Sequence, residues 1–188
     1  MMRIGSGSFG GRKLHAPKGT ETRPTSGRLK KSLFDVLAAS VEAARVLDLY
    51  AGAGALGLEA LSRGAVRVVF VERGRKAVAA IERNVEELGV EDRTELRRAG
   101  VRPALVKLAE ARDFLEPFDI VFADPPYGSP ELTGVLQFLG EGNLVAEGGR
   151  VIVEHHHKAE LSKRYGNLER FRCLTAGESC FTLYRRLC

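Results

Sequence analysis

From residue 45 to residue 154, strand-like apolar runs and helical patterns alternate without interruption, and few architectures accept that order. Strand patterns over 46–50, 66–71, 94–98, 119–123 and 150–154 are separated by helical patterns over 56–63, 75–88, 104–112 and 131–139. Consecutive strands joined by helices run parallel, with the helices laid over both faces of the sheet. After residue 154 the pattern changes. Residues 168–174 and 180–186 are strand-like but joined only by Thr175-Ala176-Gly177-Glu178-Ser179, too short for a helical crossover, so they are expected to pair antiparallel. The predicted fold is α/β: a doubly wound, mostly parallel sheet of seven strands with an antiparallel C-terminal pair. At 188 residues, 44% of them hydrophobic, the chain suits a single core, and residues 1–188 are read as one domain.

Residues 1–40 form an extension to that sheet. Short β-type runs around Gly10-Gly11 predict a hairpin. The spacing of Leu29, Leu33, Val36 and Leu37 predicts an amphipathic helix, with Thr25 or Ser26 as N-cap. The extension is basic. Residues 1–31 carry Arg3, Arg12, Lys13, Lys18, Arg23, Arg28, Lys30 and Lys31 against the single acid Glu21, a charge of +7, which leaves −2 on the rest of a chain whose net charge is +5. Clustered Lys and Arg release counterions from a nucleic acid, so an RNA-facing arm is expected. Arg28, Lys30 and Lys31 fall mostly off the apolar stripe and are expected to reach phosphates. The plain alternative is a solvated, solubilising terminus.

Two stretches carry chemistry. Asp48-Leu49-Tyr50-Ala51-Gly52-Ala53-Gly54-Ala55-Leu56-Gly57 holds GxGxxG between a strand and a helix, and Glu72 stands twenty residues after Gly52 at the end of the next strand. Glycines there admit close approach of a ligand, and the acid accepts ribose hydroxyls. The loop alone leaves a dinucleotide and S-adenosylmethionine open. Asp48 favours the methyl donor, because a carboxylate ahead of the loop repels a pyrophosphate and attracts ammonium and sulfonium charge.

The second stretch, Asp124-Pro125-Pro126-Tyr127, closes the apolar run 118–123. Proline fixes φ and restrains the residue before it, so Asp124 and Pro125 present stiffly held acceptors. Tyr127 adds a ring that stacks on a base. Such a turn can hold an exocyclic base amine for attack, though a rigid turn with ordinary packing has the same composition. In a doubly wound sheet the first and fourth strands are neighbours, so both stretches are expected to face one crevice at the strand carboxyl ends.

Other features are less specific. Cys173, Cys180 and Cys188 lack the spacing of a zinc or redox site and are expected to be free thiols in a reducing compartment. His155-His156-His157 cannot readily ligate one ion, since adjacent strand residues point to opposite faces; a polar strand end is expected, and methyl transfer needs no metal. No apolar run reaches membrane-spanning length and no signal-peptide core follows Met1-Met2-Arg3-Ile4-Gly5, so a soluble, cytoplasmic protein without membrane contact is expected.

The sequence resembles the bacterial methyltransferases that modify guanine N2 in small-subunit (16S) ribosomal RNA. The resemblance runs through Arg3-Ile4, Gly11-Arg12, Arg23-Pro24-Thr25, Ser32-Leu33-Phe34, 48–64, Val71-Glu72, 124–127 and Glu154-His155. It implies a Rossmann-like methyltransferase fold, S-adenosylmethionine as cofactor, 16S rRNA in the assembled or assembling small subunit as partner, and action as a monomer. The expected cofactor contacts are Asp48, Tyr50, Ala51, Gly52, Gly54, Gly57, Glu72, Arg73 and Val101. Asp124, Pro125, Pro126 and Tyr127 are the expected catalytic turn, and Arg3, Arg12, Lys13, Arg23, Arg28, Lys30 and Lys31 the expected RNA contacts.

Two departures from the family pattern stand out. The acid that usually holds the adenine amino group is missing from Ala99-Gly100-Val101-Arg102-Pro103, which leaves backbone near Val101 for that role. Lys31 replaces an acid of the basic helix. Three other functions stay open at this stage: a DNA amino-methyltransferase, which would normally need a separate target-recognition domain; an NAD-dependent oxidoreductase; and a non-catalytic RNA-binding assembly module.

Overall fold

A computed structural model describes residues 2–17, 27–111, 116–126 and 128–188. The central sheet has strands β3 (Arg45–Leu49), β4 (Arg67–Glu72), β5 (Thr94–Arg98), β6 (Phe118–Ala123), β7 (Val145–His156), β8 (Arg164–Tyr165), β9 (Leu168–Ala176) and β10 (Ser179–Arg186) in the order β5-β4-β3-β6-β7-β10-β9-β8. β3 to β7 are mutually parallel where they pair, while β10 runs antiparallel to both β7 and β9. The seven expected strands are all present. The eighth, β8, is a two-residue edge strand that pairs Arg164 with Glu169 and Tyr165 with Leu168. β7 also begins five residues ahead of its expected start, with a register irregularity between the Phe118 and Ile120 rungs.

Alternation along the strands divides the core in two. Val46, Phe70, Ile120, Phe122 and Ile152 face α1 (Gly27–Val41), α2 (Ala55–Ser62) and α3 (Arg75–Leu88). Leu47, Val69, Val121, Ala123 and Val153 face α4 (Val101–Glu110) and α5 (Leu132–Glu141). Strands buried on both faces explain why their sequences are continuous apolar runs rather than alternating ones.

The N-terminal extension opens with a minimal antiparallel pair, β1 (Met2–Arg3) with β2 (Lys13–Leu14). Its loop is fixed to α2. The wholly buried Glu59 accepts from the N–H groups of Gly5 (2.7 Å) and Ser6 (3.1 Å), pairs with Lys30 Nζ at 2.9 Å and with Arg63 Nε at 2.8 Å. Ser62 binds the same loop through Phe9 N–H and the Ser6 carbonyl. α1 runs opposite to β6: Phe34 packs on Phe122 with ring centroids 5.9 Å apart, and Val36 receives Arg150, whose rung is Ile120. Its N-terminal turn therefore lies toward the carboxyl ends of the strands. Among the described residues no helix is long and apolar enough to cross a membrane.

Candidate active site

β3 and β6 are hydrogen-bonded neighbours, with Asp48 opposite Phe122 and Leu49 opposite Ala123, and the Asp124 N–H continues toward the Leu49 carbonyl at 3.4 Å. This is the point where strand order reverses, and it brings the glycine loop and the Asp124 turn to one crevice. Another hollow, about 280 Å³ and lined by Glu42, Asp119, Glu147 and Arg150 among others, lies at the opposite ends of the strands. Ligands of such sheets bind at the carboxyl ends, so that hollow has no part in the site.

The glycine loop is tied down by two acids. Glu72 accepts from Gly52 N–H (2.9 Å) through one oxygen and from Arg73 (2.8 Å) and Gly74 (2.7 Å) N–H groups through the other. Its carboxylate is thereby fixed between two loops with acceptor capacity remaining at the mouth. Asp48, only 2% exposed, accepts from Gly57 N–H at 2.9 Å. Gly57 lies in the first turn of α2, whose N-cap Gly54 supplies no side-chain bond, so Asp48 caps the helix from the adjoining strand. Burial pushes the Asp48 carboxyl up to about 8; the Gly57 N–H works against this and the Glu72 charge adds to it. The shift favours the neutral acid in the free protein more than an exposed aspartate would allow, which the sequence does not reveal.

Close packing explains two of the glycines. Gly54 sits at φ 78°, and a Cβ on Gly57 would meet Phe70 Cε1 at 2.4 Å, so only glycine lets α2 approach β4 this closely. Tyr50 takes a left-handed φ of 56°, rare for an aromatic residue. Its buried hydroxyl faces Ser129 without closing a hydrogen bond of regular geometry. Burial raises its pKa, as does Glu131, while Ser129 and Arg73 oppose the rise. Val101 opens α4, so its N–H is one of the four in the first turn without an intrahelical acceptor. Fixed acceptor Glu72, the orphan Tyr50 hydroxyl and the Val101 N–H fit a nucleoside-bearing cofactor. Asp48 below the loop suits one with a positive charge.

On the β6 side, Asp124 opens to the crevice mouth, while Pro125 is buried. Withdrawal from bulk water, then the charges of Glu154 and Asp48, push the Asp124 carboxyl well above the ordinary range, an effect its open edge moderates. Beside it, past the carboxyl ends of β6 and β7, is a hollow of about 200 Å³; its walls include Pro125, Pro126, Leu132, Leu161, Glu154 and His155. The histidine run is divided. His155 donates from Nδ1 to the His156 carbonyl (2.8 Å) and accepts at Nε2 from the Thr182 hydroxyl (2.7 Å), while His156 and His157 stack at 4.6 Å. Burial lowers the His155 pKa. Among the described residues no group of three His, Cys, Asp or Glu side chains is arranged to hold a metal.

A model of the family described as Conserved hypothetical protein 95 matches residues 2–185. The chain belongs to this family. It is 35% identical over 185 residues to "Putative rRNA methyltransferase YlbH" of Bacillus subtilis, covering 98% of this chain and 99% of that one. It is 33% identical over 189 residues to "Ribosomal RNA small subunit methyltransferase D" of Escherichia coli K12, covering 98% and 90%. The solved structure of "Putative methyltransferase yhhF from Escherichia coli" superposes with a TM-score of 0.85 at 31% identity, over 99% of this chain and 98% of that one. The fold is the Rossmann-like methyltransferase fold, as the sequence reading expected.

In this member of the family the basic side chains are not equivalent. Arg12, Lys13, Arg28 and Lys31 are exposed, Lys31 beside Asp35 at 3.0 Å. Arg3 is also exposed and donates to the Gly11 carbonyl. Lys30 differs: its ammonium sits on Glu59 and the Arg3 carbonyl, 13% exposed, so it belongs to the fold rather than to a free phosphate-binding face. Arg23 and Tyr127 lie outside the described residues. The signal that sequence reasoning missed is Glu59, four residues before Arg63 inside an otherwise apolar helix, where an unpaired acid would not be tolerated.

Proposed function

We propose that this protein transfers a methyl group from S-adenosylmethionine to the N2 amine of a guanine in small-subunit ribosomal RNA, within the assembled or assembling particle in the cytoplasm. The coarser part rests on family membership: it is a methyltransferase, ribosomal RNA is its substrate class and S-adenosylmethionine its methyl donor. The observation that carries the finer reading is the Asp124 turn beside the glycine loop, at the edge of a hollow suited to a flat base.

The cofactor supplies a methyl group on a positively charged sulfur. Glu72 accepts the ribose hydroxyls, Val101 N–H meets the adenine edge, and Asp48 lies under the cationic end. Asp124 and the Pro125 carbonyl accept from the base amine, whose lone pair is delocalised into the ring, and hold it in line. In its ionised form Asp124 takes the amine proton at a carboxylate oxygen as the new bond forms; the raised pKa makes that form the stronger base and a smaller share of the free protein. Tyr127 stacks on the base. Arg12, Lys13, Arg28 and Lys31, on the extension formed by residues 1–40, bind phosphates.

Two consequences follow for the cofactor. Glu72→Ala removes both the hydroxyl acceptor and the clamp on Gly52, so calorimetric affinity for S-adenosylmethionine falls by about 1.5–3 kcal/mol. Binding of a cation beside Asp48 lowers its pKa from about 8 and expels a proton. Affinity therefore rises with pH as Asp48 ionises on the approach to about 8, and Asp48→Asn removes that proton release; calorimetry in buffers of different ionisation enthalpy measures it.

For the RNA face, neutralising Lys13, Arg28 and Lys31 together lowers the salt slope of particle binding by about two to three units, since each phosphate contact contributes roughly 0.7–0.9. An unaltered slope assigns the arm to solvent. The function itself is tested by incubating the protein with labelled S-adenosylmethionine and separated ribosomal particles lacking the modification. Label in the small-subunit RNA is the expected result, and label confined to other RNA overturns the substrate assignment.

A further inference from the structure

We propose that the C-terminal hairpin carries a second RNA-binding surface, a stripe of Arg172, Phe171, Arg150 and Arg185 that continues from Arg28 on α1 and holds a single-stranded stretch of the substrate RNA. The inference rests on the small-subunit RNA reading above and adds where that RNA runs beyond the crevice.

Charge is segregated along the chain. Residues 157–188 carry seven Lys and Arg against Glu160, Glu169 and Glu178, a charge of +4. With +7 on residues 1–31 and +5 overall, residues 32–156 hold −6. An acidic body thus separates two basic segments in sequence, and the packing of α1 beside β9 sets them side by side in the fold.

Register places the side chains. β10 pairs Arg185 with Arg150 of β7, and Leu183 with Ile152 of β7 and Arg172 of β9. Ile152 and Leu183 belong to the core beneath α1, so Arg150, Arg172 and Arg185 stand on that same face of the sheet. β9 bulges between the Leu183 and Tyr184 rungs, and Phe171 is the extra residue. A bulge re-aims a side chain. Here the Phe171 ring meets Arg150, whose guanidinium lies 6.0 Å from the ring centre, and Arg150 also donates to the Val36 carbonyl of α1. Lys30 and Phe34 face α2, through Glu59 and Arg63, so the opposite flank of α1, with Arg28, Ser32 and Val36, faces β9.

Phe171 is 47% exposed, and Arg28, Arg172 and Arg185 are exposed beside it. Neither Arg172 nor Arg185 forms an ion pair among the described residues. Glu169 is the acid of the stripe, and it stands between Arg185 and Arg164 on its two neighbouring strands, one acid for two cations. Glu42, Asp119 and Glu147 share with Arg150 the hollow at the foot of the stripe. Burial and then the Arg185 charge hold the Arg150 guanidinium below its ordinary range, and a bound anion relieves that repulsion.

These groups select the ligand. Guanidinium groups pair with phosphates, and an exposed ring among cations stacks a base; together they make a surface that holds single-stranded nucleic acid with little sequence preference. β7 and β9 both run antiparallel to β10, so the stripe descends from the crevice mouth near Arg28 to Arg185, about 20 Å along β10 from Ser179.

The test uses small-subunit particles lacking the modification. Arg172→Gln combined with Arg185→Gln should lower the salt slope of particle binding by about one to two units, since each phosphate contact contributes roughly 0.7–0.9. Phe171→Ala should weaken particle binding about 5- to 150-fold, the range for one base stacked on an aromatic ring. S-adenosylmethionine affinity should stay within about twofold in both, because the stripe lies away from the glycine loop. An unaltered slope in the arginine variant, or wild-type particle affinity in Phe171→Ala, overturns the inference. Photoreactive benzoylphenylalanine at position 171 identifies what lies on the stripe, and it decides alone should the other variants not fold. A crosslink to small-subunit RNA is expected; a crosslink to a ribosomal protein, or none, overturns the inference. Wild-type protein and labelled S-adenosylmethionine are run on the same particles. If wild type labels the RNA while the variants bind as it does, the stripe is lost and the proposed function stands; if wild type leaves the RNA unlabelled, the proposed function itself is overturned.

Discussion

Asp124→Asn should lower single-turnover methyl transfer on saturating small-subunit particles at least about 100-fold, while S-adenosylmethionine affinity changes by less than about threefold. The substitution keeps shape and one acceptor oxygen but removes the charge and turns an NH₂ donor toward the base amine. Oriented-acceptor and general-base contributions each run to roughly 10²- to 10³-fold, and both are lost. The cofactor side is spared because its fixed groups, Glu72, Asp48 and the Val101 N–H, hang from β3, β4 and α4 rather than from β6. Near-normal turnover in this variant would remove the turn from the catalytic centre.

Glu59→Gln should have the largest effect on stability. The buried carboxylate gathers Lys30, Arg63 and the Gly5 and Ser6 N–H groups, and an amide at that place leaves cations and donors facing an NH₂ group. Breaking one partner of a buried pair costs about 3–5 kcal/mol, a large share of the roughly 5–15 kcal/mol that holds a domain together. Burial alone would raise the Glu59 pKa, but the Gly5 N–H, Lys30 and Arg63 outweigh it and the net shift is downward. A carboxyl with a depressed folded pKa stabilises above its ordinary value of 4.5 and loses that contribution as pH falls through the folded value. Urea unfolding at pH 7 should therefore separate wild type from the variant by about 3 kcal/mol or more, with the gap shrinking in acid; a gap under about 1 kcal/mol at pH 7 would contradict the account.

The sheet was legible because its information is local. Each strand carries its own apolar run, each helix its own period, and the order of the two types dictates parallel pairing. The meeting of Gly52 and Asp124 at one crevice was legible for the same reason, since it follows from topology and needs no knowledge of side-chain contacts.

What stayed hidden is long-range. Lys30 is a basic residue among basic residues until Glu59, 29 positions away, is seen to hold it. The same acid fixes Gly5 across a separation of 54 residues, and no periodicity encodes that contact. β8 is two residues long, too short to leave a pattern, and exists because the chain after Arg164 folds back on β9. The upward shift of the Asp48 pKa comes from burial beneath the loop, which its place in the sequence does not convey. Glu154 reads as a strand end until the β6–β7 register sets it beside Asp124.

The most direct measurement is the identity of the methylated nucleoside. Small-subunit RNA labelled by the wild-type protein is digested to nucleosides and separated by liquid chromatography with mass detection. N2-methylguanosine as the labelled product is the result this account predicts. Label in N6-methyladenosine or N4-methylcytidine would contradict it.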